Sequence, residues 1–508
     1  MQSDGDHREQ ISEASDAVRN CLSHFAGVER CMRDKAMHAA IECLEGNGVR
    51  DLFAADFEAL SRLWKEVSPD PGLAQYETEY QWLAYVERVS SLKDNTLCPV
   101  PWMQQTVREN GMVSVCCGAS DEAVLRDDGQ PYHILDESSA GDVVNSRFMR
   151  EIKKTMMAGE WAQVCTGCQV SEETGYSYRT EKQLLFDPEE FHTLVSRTQQ
   201  DGTSPPVVSG MHYILGNACN IKCRMCGPWA SSKWASDAKL VWGDNFPIER
   251  FTGQEVRWYE RGEAWQDLFD CLPDLRVLQL TGGEPLLIPE MYKLLGRIIE
   301  TGEAHHVRLI YNTNLTSLPP ELRTLWPQFE GIDVSCSIDG FGAVNDYIRH
   351  PSQWSDISRN LHELDDHFEE YGMRSLRIGC TVQVYNLLML KDLVDFLLES
   401  NLQHLERLNL CPLHEPEHFN VRILPIELRR LAAHRLVDAR ESCLAAEAER
   451  GVALDVNLEE MARILEEPEH ENADLLRREF QRVTVALDQH RKENVLDVIP
   501  ELAAVMNS

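Results

Sequence analysis

Three cysteines in one short segment could together hold a metal cluster. The segment reads Cys-Asn-Ile-Lys-Cys-Arg-Met-Cys and places the thiols at Cys219, Cys223 and Cys226. Three thiolates at this spacing can each bind one iron of a cubane cluster and leave the fourth iron without a protein ligand. An apolar run at 211–215 precedes the segment and predicts a strand that leads directly into it.

A structural zinc site is the alternative interpretation of this triplet. Structural zinc takes four ligands, usually as two closely spaced pairs of cysteines or histidines. No fourth cysteine or histidine follows Cys226 nearby. A zinc site would also leave unexplained the Gly-Gly-Glu-Pro turn at 282–285, which ends another predicted strand. The two motifs together favour an iron–sulfur cluster.

In this order, the two motifs resemble the radical S-adenosylmethionine (radical SAM) superfamily. The resemblance implies that the open iron of a [4Fe–4S] cluster binds SAM through its amino and carboxylate groups. Reductive cleavage of SAM then gives a 5'-deoxyadenosyl radical, with electrons from an external donor such as flavodoxin or ferredoxin. The resemblance also implies that the turn binds SAM through Gly282, Gly283, Glu284 and Pro285.

A second group of cysteines lies nearer the N-terminus. Its members are Cys98, Cys116, Cys117, Cys165 and Cys168. With Gly111, their order resembles the twitch module, the short form of SPASM, placed before the barrel as in a smaller group of radical SAM proteins. The resemblance implies a second, auxiliary [4Fe–4S] cluster for electron transfer, held by Cys98, Cys116, Cys165 and Cys168. Cys117 is the spare, because Cys116 keeps the Gly-x4-Cys spacing, and a zinc site remains the alternative.

The bulk composition limits the partners of the chain. Its 508 residues include 83 acidic and 49 basic side chains, for a net charge of −34. Nucleic acid is therefore not expected as a partner, because phosphate binding needs clustered lysines and arginines. No apolar stretch suggests a membrane span, and we expect a cytoplasmic protein. Sixteen cysteines in such a chain indicate metal or redox chemistry more than disulfides.

Alternating predicted strands and helices occupy the middle of the chain. Such alternation is typical of βα units around a parallel sheet, and the fold class is α/β. The predicted strands lie near 211–215, 276–281, 306–313, 331–338, 375–384 and 406–411. The clearest helices are predicted at 289–302, 353–371 and 389–400. The resemblance implies a partial (β/α)6 radical SAM barrel.

Shifts in composition divide the chain into five regions. We predict a helical N-terminal region at 1–90, a cysteine-rich twitch-like auxiliary-cluster module at 91–198, a linker at 199–210, the barrel at 211–424 and a helical C-terminal region at 425–508. The linker carries the Gly-Thr-Ser-Pro-Pro run at 202–206, which marks the boundary before the barrel.

Polar residues on one phase of the predicted strands indicate a polar barrel interior. Helices cover the outer face of such a sheet, so polar side chains on alternate positions must point inward. The inward set is Gln279, Thr281, Ser335, Ser337, Asp339, Thr381, Gln383, Asn409 and Cys411. On this phase Cys336 and Cys380 are packing residues. Some radical SAM peptide epimerases return a hydrogen atom from a thiol, and Cys411 is the candidate here; a buried spacer beside Pro412 is the alternative.

Further resemblances to the superfamily fall on the ends of the predicted strands. The segment at 312–314 is similar to the Thr-Asn-Gly of related enzymes, although Leu315 replaces the glycine, and Asn312 is its candidate cofactor contact. The segment at 337–340 resembles the Ser-x-Asp-Gly motif that contacts the SAM ribose. The resemblance thus implies cofactor contacts from Ser337, Asp339 and Arg349, with Gln383 as a further candidate. A surface ion pair is the alternative for Arg349.

The substrate is less well defined by the sequence than the chemistry. SPASM/twitch relatives commonly modify ribosomal peptides, which makes a peptide or amino-acid-derived substrate the first expectation. A small natural-product precursor is the second. A non-catalytic metal-binding adaptor is the alternative of another class, although an adaptor needs neither a polar barrel interior nor the turn at 282–285.

Overall fold

Parallel strands in chain order form the centre of the fold. The computed structural model describes residues 96–119, 123–173, 178–183, 185–451 and 454–507. Within these residues one sheet contains nine strands: β1 (Gln104–Val107), β2 (Val113–Ser114), β3 (Gly210–Leu215), β4 (Val277–Gly282), β5 (Arg308–Thr313), β6 (Gly331–Ser337), β7 (Met373–Val382), β8 (Leu405–Pro412) and β9 (Asp455–Val456). Their order is β2-β1-β3-β4-β5-β6-β7-β8-β9, and all neighbours except β1 and β2 are parallel.

Strands β3 to β8 confirm the six predicted strands to within about three residues at each end. Consecutive strands are neighbours in the sheet, as expected for successive right-handed βα crossovers. The α/β fold class is therefore confirmed, and closure of the sheet into a partial barrel stays a prediction.

Helices connect the strands and flank the sheet. The N-terminal part contains α1 (Val100–Met103), α2 (Ala140–Val144), α3 (Arg147–Met157), α4 (Thr166–Glu173), α5 (Tyr178–Gln183) and α6 (Pro188–Ser196). Between the parallel strands lie α7 (Ala238–Trp242), α8 (Gln266–Cys271), α9 (Pro289–Thr301), α10 (Leu322–Leu325), α11 (Ala343–Ile348), α12 (Trp354–Asp366) and α13 (Leu390–Glu399). After β8 come α14 (Ile426–Arg450), α15 (Leu458–Glu466), α16 (Ala473–Arg491), α17 (Val495–Val498) and α18 (Ala503–Met506). Helices α9, α12 and α13 confirm the three clearest predicted helices.

The burial of the strands follows the predicted polar phase. Leu278, Leu280, Cys336 and Cys380 are 0% exposed and belong to the hydrophobic core. On the opposite phase, Gln279, Thr281, Ser335, Ser337, Thr381, Asn409 and Cys411 are half-buried. The core thus forms on the apolar face, and the polar face stays open to a ligand.

Three strands, β1, β2 and β9, extend the sheet beyond the six predicted strands. Strand β1 pairs with β3 in parallel, and β9 pairs with β8 in the same sense. The residues at 91–198 therefore add β1 and β2 to the sheet, and those at 425–508 add β9. The sequence did not predict that these strands pair with the parallel sheet. The domain boundaries stay predictions, and the helical region predicted at 1–90 lies outside the described residues. Among the described helices, none is long and apolar enough to cross a membrane.

Candidate functional site

The cysteine loop is fastened to the Gly-Gly-Glu turn by close backbone contact. The loop runs from Gly216 to Cys226, after β3, and the turn follows β4 at the same sheet edge. The amide of Gly283 donates to the carbonyl of Gly216 at 3.2 Å, and that of Glu284 donates to the carbonyl of Ala218 at 2.8 Å. A Cβ at Gly283 would lie 2.3 Å from the oxygen of Ala218. Only glycine permits this approach.

Glu284 joins the turn to the strand that follows. Its carboxylate is 1% exposed and accepts from the amide of Asn314 at 2.6 Å and from the hydroxyl of Thr313 at 2.9 Å. The amide of Leu286 donates to the same carboxylate at 3.1 Å. Burial raises the pKa of Glu284 to about 7, against these hydrogen bonds, which lower it. Glu284 therefore fixes β4 and β5 at the mouth of the site.

Asn314 connects this network to the cysteines. Its side-chain amide lies 3.6 Å from the sulfur of Cys219 and 3.0 Å from the side-chain oxygen of Asn220. Asn312, the predicted cofactor contact, is instead exposed on β5. Leu315 has a φ of +56°, the backbone conformation that favours the glycine of the resembled motif, and its side chain is 0% exposed. The motif is therefore preserved in backbone shape although not in residue type.

The three loop thiols occupy a mostly buried site. Cys223 is 5% exposed, and Cys219 and Cys226 are half-buried. A hydrogen bond from the Cys226 thiol lowers the pKa of Cys223, and burial raises the pKa of Cys219 to about 11. Because metals bind thiolates, loading the site must release protons. Within the described residues no three His, Cys, Asp or Glu side chains form a group suited to a single metal ion. The thiolates of a cubane each bind a different iron, so they need not converge on one point.

Asp339 and Arg349 lie together at the ends of β6 and α11. Arg349 Nε is 2.7 Å from Asp339 Oδ2, and the Asp339 side chain is 0% exposed. Burial raises the pKa of Asp339, while Arg349 and the amide of Thr381, which donates to Oδ1 at 2.7 Å, lower it. The positive charge of Arg349 also favours the thiolate forms of Cys223 and Cys226, because it acts to lower the pKa of each. Arg349 is thus a buried ion-pair residue beside the cysteine loop, which rules out the alternative of a surface ion pair. Its contact with the cofactor stays a prediction.

The side-chain amide of Gln383 is buried on the predicted polar phase of β7 and its C-terminal extension. Its side chain is 0% exposed, and neither amide atom has a hydrogen-bond partner among the described residues. A buried amide without hydrogen bonds raises the free energy of the folded protein. A polar ligand that formed hydrogen bonds with Gln383 would therefore bind more tightly. Cys411 and Thr381 are register partners on β8 and β7, next to Asn409, whose side-chain oxygen is likewise buried and unpartnered in the described part of the chain. Pro285 is buried behind the turn, and Ser337 lies half-buried at the end of β6.

The second cysteine group also comes together. Burial raises the pKa of Cys98 to about 12 and that of Cys165 to about 11. Negative charge on Cys165 or Cys168 raises the pKa of Cys98. Negative charge on Cys117, Cys98 or Cys168 raises the pKa of Cys116 in the same way. The five thiols therefore lie close to one another. Cys116 is half-buried and Cys117 is exposed. By ligand type, four or five thiols suit an iron–sulfur cluster or zinc. Among the described residues no three of them form the convergent group that a single zinc ion would need.

A cation accompanies this second group. Arg179 on α5 lowers the pKa of Cys98, Cys165 and Cys168 and forms a bidentate pair with Glu172, at 2.8 and 2.6 Å. The guanidinium also lies 4.9 Å from the Trp161 ring. Lys182, one helical turn later, donates to Gln279 of β4 at 3.1 Å. Helix α5 therefore contacts the polar face of the sheet through Lys182 and places the positive charge of Arg179 near the second cysteine group.

Several site residues were not predicted from the sequence. Asn314 stood in the asparagine position of a recognised motif, since Leu315 replaces the motif's glycine, yet Asn312 was predicted as the contact. His212 on β3 contacts Thr281 at 2.8 Å, and its ring Nδ1 has no partner among the described residues. Arg224, inside the cysteine motif itself, is 1% exposed and pairs with carboxylates of the C-terminal helices. Its partners are more than 260 residues away in sequence, so no pattern of neighbouring residues could have predicted these pairs.

Sequence comparison finds similarity to mycofactocin maturases. The chain is 29% identical to the mycofactocin maturase MftC of Mycobacterium ulcerans over 130 residues and 32% identical to that of Mycobacterium tuberculosis over 102 residues. These segments are 25% and 20% of this chain and span only 33% and 25% of the length of the two maturases. The similarity confirms the resemblance to SPASM-type radical SAM proteins. No family model matches the chain.

Solved structures were compared in the same way. SuiB of Streptococcus suis aligns with 66% of this chain and 71% of its own length, at 12% identity and a TM-score of 0.32. The same protein solved with the precursor peptide SuiA gives 13% identity and a TM-score of 0.31, over 69% of this chain and 72% of its own. The protein anSMEcpe with bound AdoMet covers 48% of this chain and 59% of its own, at 17% identity and a TM-score of 0.34.

Proposed function

We propose that this protein is a radical SAM enzyme, with Cys219, Cys223 and Cys226 as ligands of a [4Fe–4S] cluster whose fourth iron binds SAM. The observation that carries the proposal is the convergence of motifs that are far apart in the sequence. The cysteine loop is hydrogen-bonded to the turn at 282–285, and Asn314 reaches both Glu284 and Cys219. A cluster bound there would supply the electron for cleavage of SAM. The residues named here hold the cysteine loop against the sheet.

The surrounding residues suit the different parts of SAM. Gly282 and Gly283 let the turn pack directly against the backbone of Leu215 and Ala218. In this proposal the turn, with Glu284 behind it, lies beside the SAM amino group. Ser337 and Asp339 are the candidates for the ribose, and Arg349 for the carboxylate. Asn312 is not retained as a contact, because its side chain is exposed on β5. Asp339 and Arg349 pair with each other through Oδ2 and Nε. Each could therefore form hydrogen bonds with SAM only through its other polar atoms. Gln383 offers the buried amide that a polar ligand would satisfy.

The second cysteine group, in this proposal, holds an auxiliary [4Fe–4S] cluster. Its ligands are Cys98, Cys116, Cys165 and Cys168, and Arg179 supplies a nearby positive charge that favours thiolates. A fully ligated cluster would transfer electrons, and flavodoxin or ferredoxin would be the external donor. Zinc is the alternative occupant of this group, and it would make the module structural.

The proposed substrate is a peptide or an amino-acid-derived compound. The support is the sequence similarity to maturases together with a half-buried polar face that includes Gln279, Thr281 and Asn409. Cys411 lies on the same phase and is the candidate hydrogen-atom donor. A small natural-product precursor would suit the same polar face and is the second candidate.

The test is release of 5'-deoxyadenosine from SAM by the anaerobically reconstituted protein with dithionite. We expect release by the natural chain and a loss of at least about 100-fold in Cys223→Ala, because the buried thiolate ligand is removed. Cys336→Ala is the matched control, since that cysteine is equally buried on the helix-facing phase and should keep the activity. A metal-binding adaptor would release none, and equal release by both variants would contradict the proposed site.

A further inference from the structure

We propose that the end of helix α16 clamps the cysteine loop, so that Asp488, Arg491 and Glu493 are positioning residues for Cys223. The inference rests on the proposed function for its purpose, and its geometry is independent of any bound cluster. Lys222 and Arg224 flank Cys223 on either side. Arg224 bonds directly to this helix end, and Lys222 is connected to it through Asp237.

The first fastening is the side chain of Arg224. Its Nη2 donates to Asp488 Oδ1 and to Glu493 Oε2, both at 2.6 Å, and its Nε donates to the carbonyl of Tyr347 at 3.0 Å. The side chain is 0% exposed, and its guanidinium lies 3.6 Å from the Tyr347 ring. A buried arginine is stable only with such partners, so the loop and the helix end must be ordered together.

The second fastening passes through Asp237. Lys222 Nζ donates to Asp237 Oδ1 at 2.6 Å, and Arg491 Nε donates to Oδ2 of the same carboxylate at 3.0 Å. Asp237 and Arg491 both have 0% exposed side chains. The Arg491 guanidinium lies 5.3 Å from the ring of Trp234, whose Nε1 donates to the Cys223 carbonyl at 2.8 Å. The carbonyl of Cys223 is thus held by a residue that contacts α16.

The helix side of the clamp is itself braced. Asp488 accepts from the Tyr347 hydroxyl and from the amide of Val495, each at 2.8 Å. Glu493 lies 2.6 Å from the ring Nδ1 of His350. The carbonyl of His350 accepts from the amide of Lys222 at 2.7 Å, which returns the network to the loop. The two carboxylates are therefore held by partners other than the loop, which is the arrangement a positioning element requires.

The clamp assigns a role to the C-terminal helices. Arg224 and Asp488 are 264 residues apart in sequence, yet one of them lies between two cluster ligands. Helix α16 is then part of the cluster-binding machinery rather than a separate appendage. In a set of such supporting contacts, loss of one partner typically weakens metal retention by about 10–100-fold.

The test compares Asp488→Asn with Asp474→Asn. Both make the same change on α16, but Asp474 is 84% exposed in its ion pair with Arg477. The first readout is hydrogen–deuterium exchange at 219–226 in the protein without iron. The second is the rate at which a chelator removes iron from the reconstituted protein. We expect Asp488→Asn to raise both by about 10-fold or more and Asp474→Asn to leave both unchanged.

The outcomes separate the clamp from the proposed function. Unchanged exchange and iron loss in a folded Asp488→Asn protein would overturn the clamp. If that variant does not fold, Glu493→Gln decides, since it keeps the Asp488 contact and must still raise both rates. Arg224→Lys keeps the positive charge but loses the planar guanidinium. Its exchange rate and its rate of iron loss should lie between those of the natural chain and of Asp488→Asn. A natural chain that takes up no iron would defeat the proposed function, whereas the exchange measurement would still test the clamp.

Discussion

Replacement of Arg349 by methionine is expected to lower the free energy of unfolding of the protein without metal by about 3–5 kcal/mol. The substitution leaves Asp339 without its charged partner in a position where its side chain is 0% exposed. An unpaired charge there must either stay ionised at high cost or take up a proton. Urea denaturation followed by circular dichroism measures the effect, with the midpoint and slope compared against the natural chain.

Arg374→Met is the matched control for this prediction. Arg374 forms an ion pair with Glu330 at 3.0 Å, but the two side chains are 44% and 45% exposed. Solvent screens such a pair, so its loss should change the stability by no more than about 0.5 kcal/mol. Equal effects of the two substitutions would mean that Arg349 and Asp339 are not a buried pair, and the description of this side of the site would be wrong.

The second large effect is expected at Gly283. An alanine Cβ would lie 2.3 Å from the oxygen and 2.6 Å from the carbonyl carbon of Ala218, so the turn and the cysteine loop must separate. We expect Gly283→Ala to cost about 1–3 kcal/mol of stability and to reduce iron uptake, since the loop loses its two backbone hydrogen bonds. Thermal unfolding and iron analysis of the reconstituted variant provide the two readouts.

Gly296→Ala provides the contrast on the neighbouring helix. Gly296 lies within α9, and a Cβ there would meet nothing within 4 Å. Alanine also favours the helical conformation, so this variant should gain about 0.5–1 kcal/mol and bind iron as the natural chain does. Destabilisation by both substitutions alike would remove the argument that close approach at Gly283 is what the turn requires.

The sequence was sufficient for the features that depend on neighbouring residues. Alternation of polar and apolar residues predicted β3 to β8 and assigned Cys336 and Cys380 to the core, because a pleated strand sends successive side chains to opposite faces. The spacing of Cys219, Cys223 and Cys226 likewise depends only on a short loop. The turn at 282–285 could be identified since glycine is needed where two backbones approach.

Features built from distant contacts could not be predicted in this way. Strands β1 and β9 are short and have no alternation long enough to distinguish them, and they become strands by pairing with β3 and β8. The sequence predicted that Asp339 and Arg349 each contact SAM, whereas in the structure they form an ion pair with each other. The pair forms because a buried charge is stable only beside an opposite charge. Arg224 has the same origin, since its partners Asp488 and Glu493 are defined by tertiary packing alone.

The central claim is a cluster on the three loop cysteines, and iron analysis tests it most directly. The natural chain and a Cys219/Cys223/Cys226→Ala triple variant would be reconstituted anaerobically side by side, and iron and zinc per chain measured in each. We predict about eight irons in the natural chain and about four in the triple variant, the remainder being the auxiliary cluster. A second outcome would also support the claim: about four irons and one zinc in the natural chain, and zinc alone in the triple variant. The second cysteine group would then be a structural zinc site. The same iron content in both proteins, or zinc without iron, would contradict the claim.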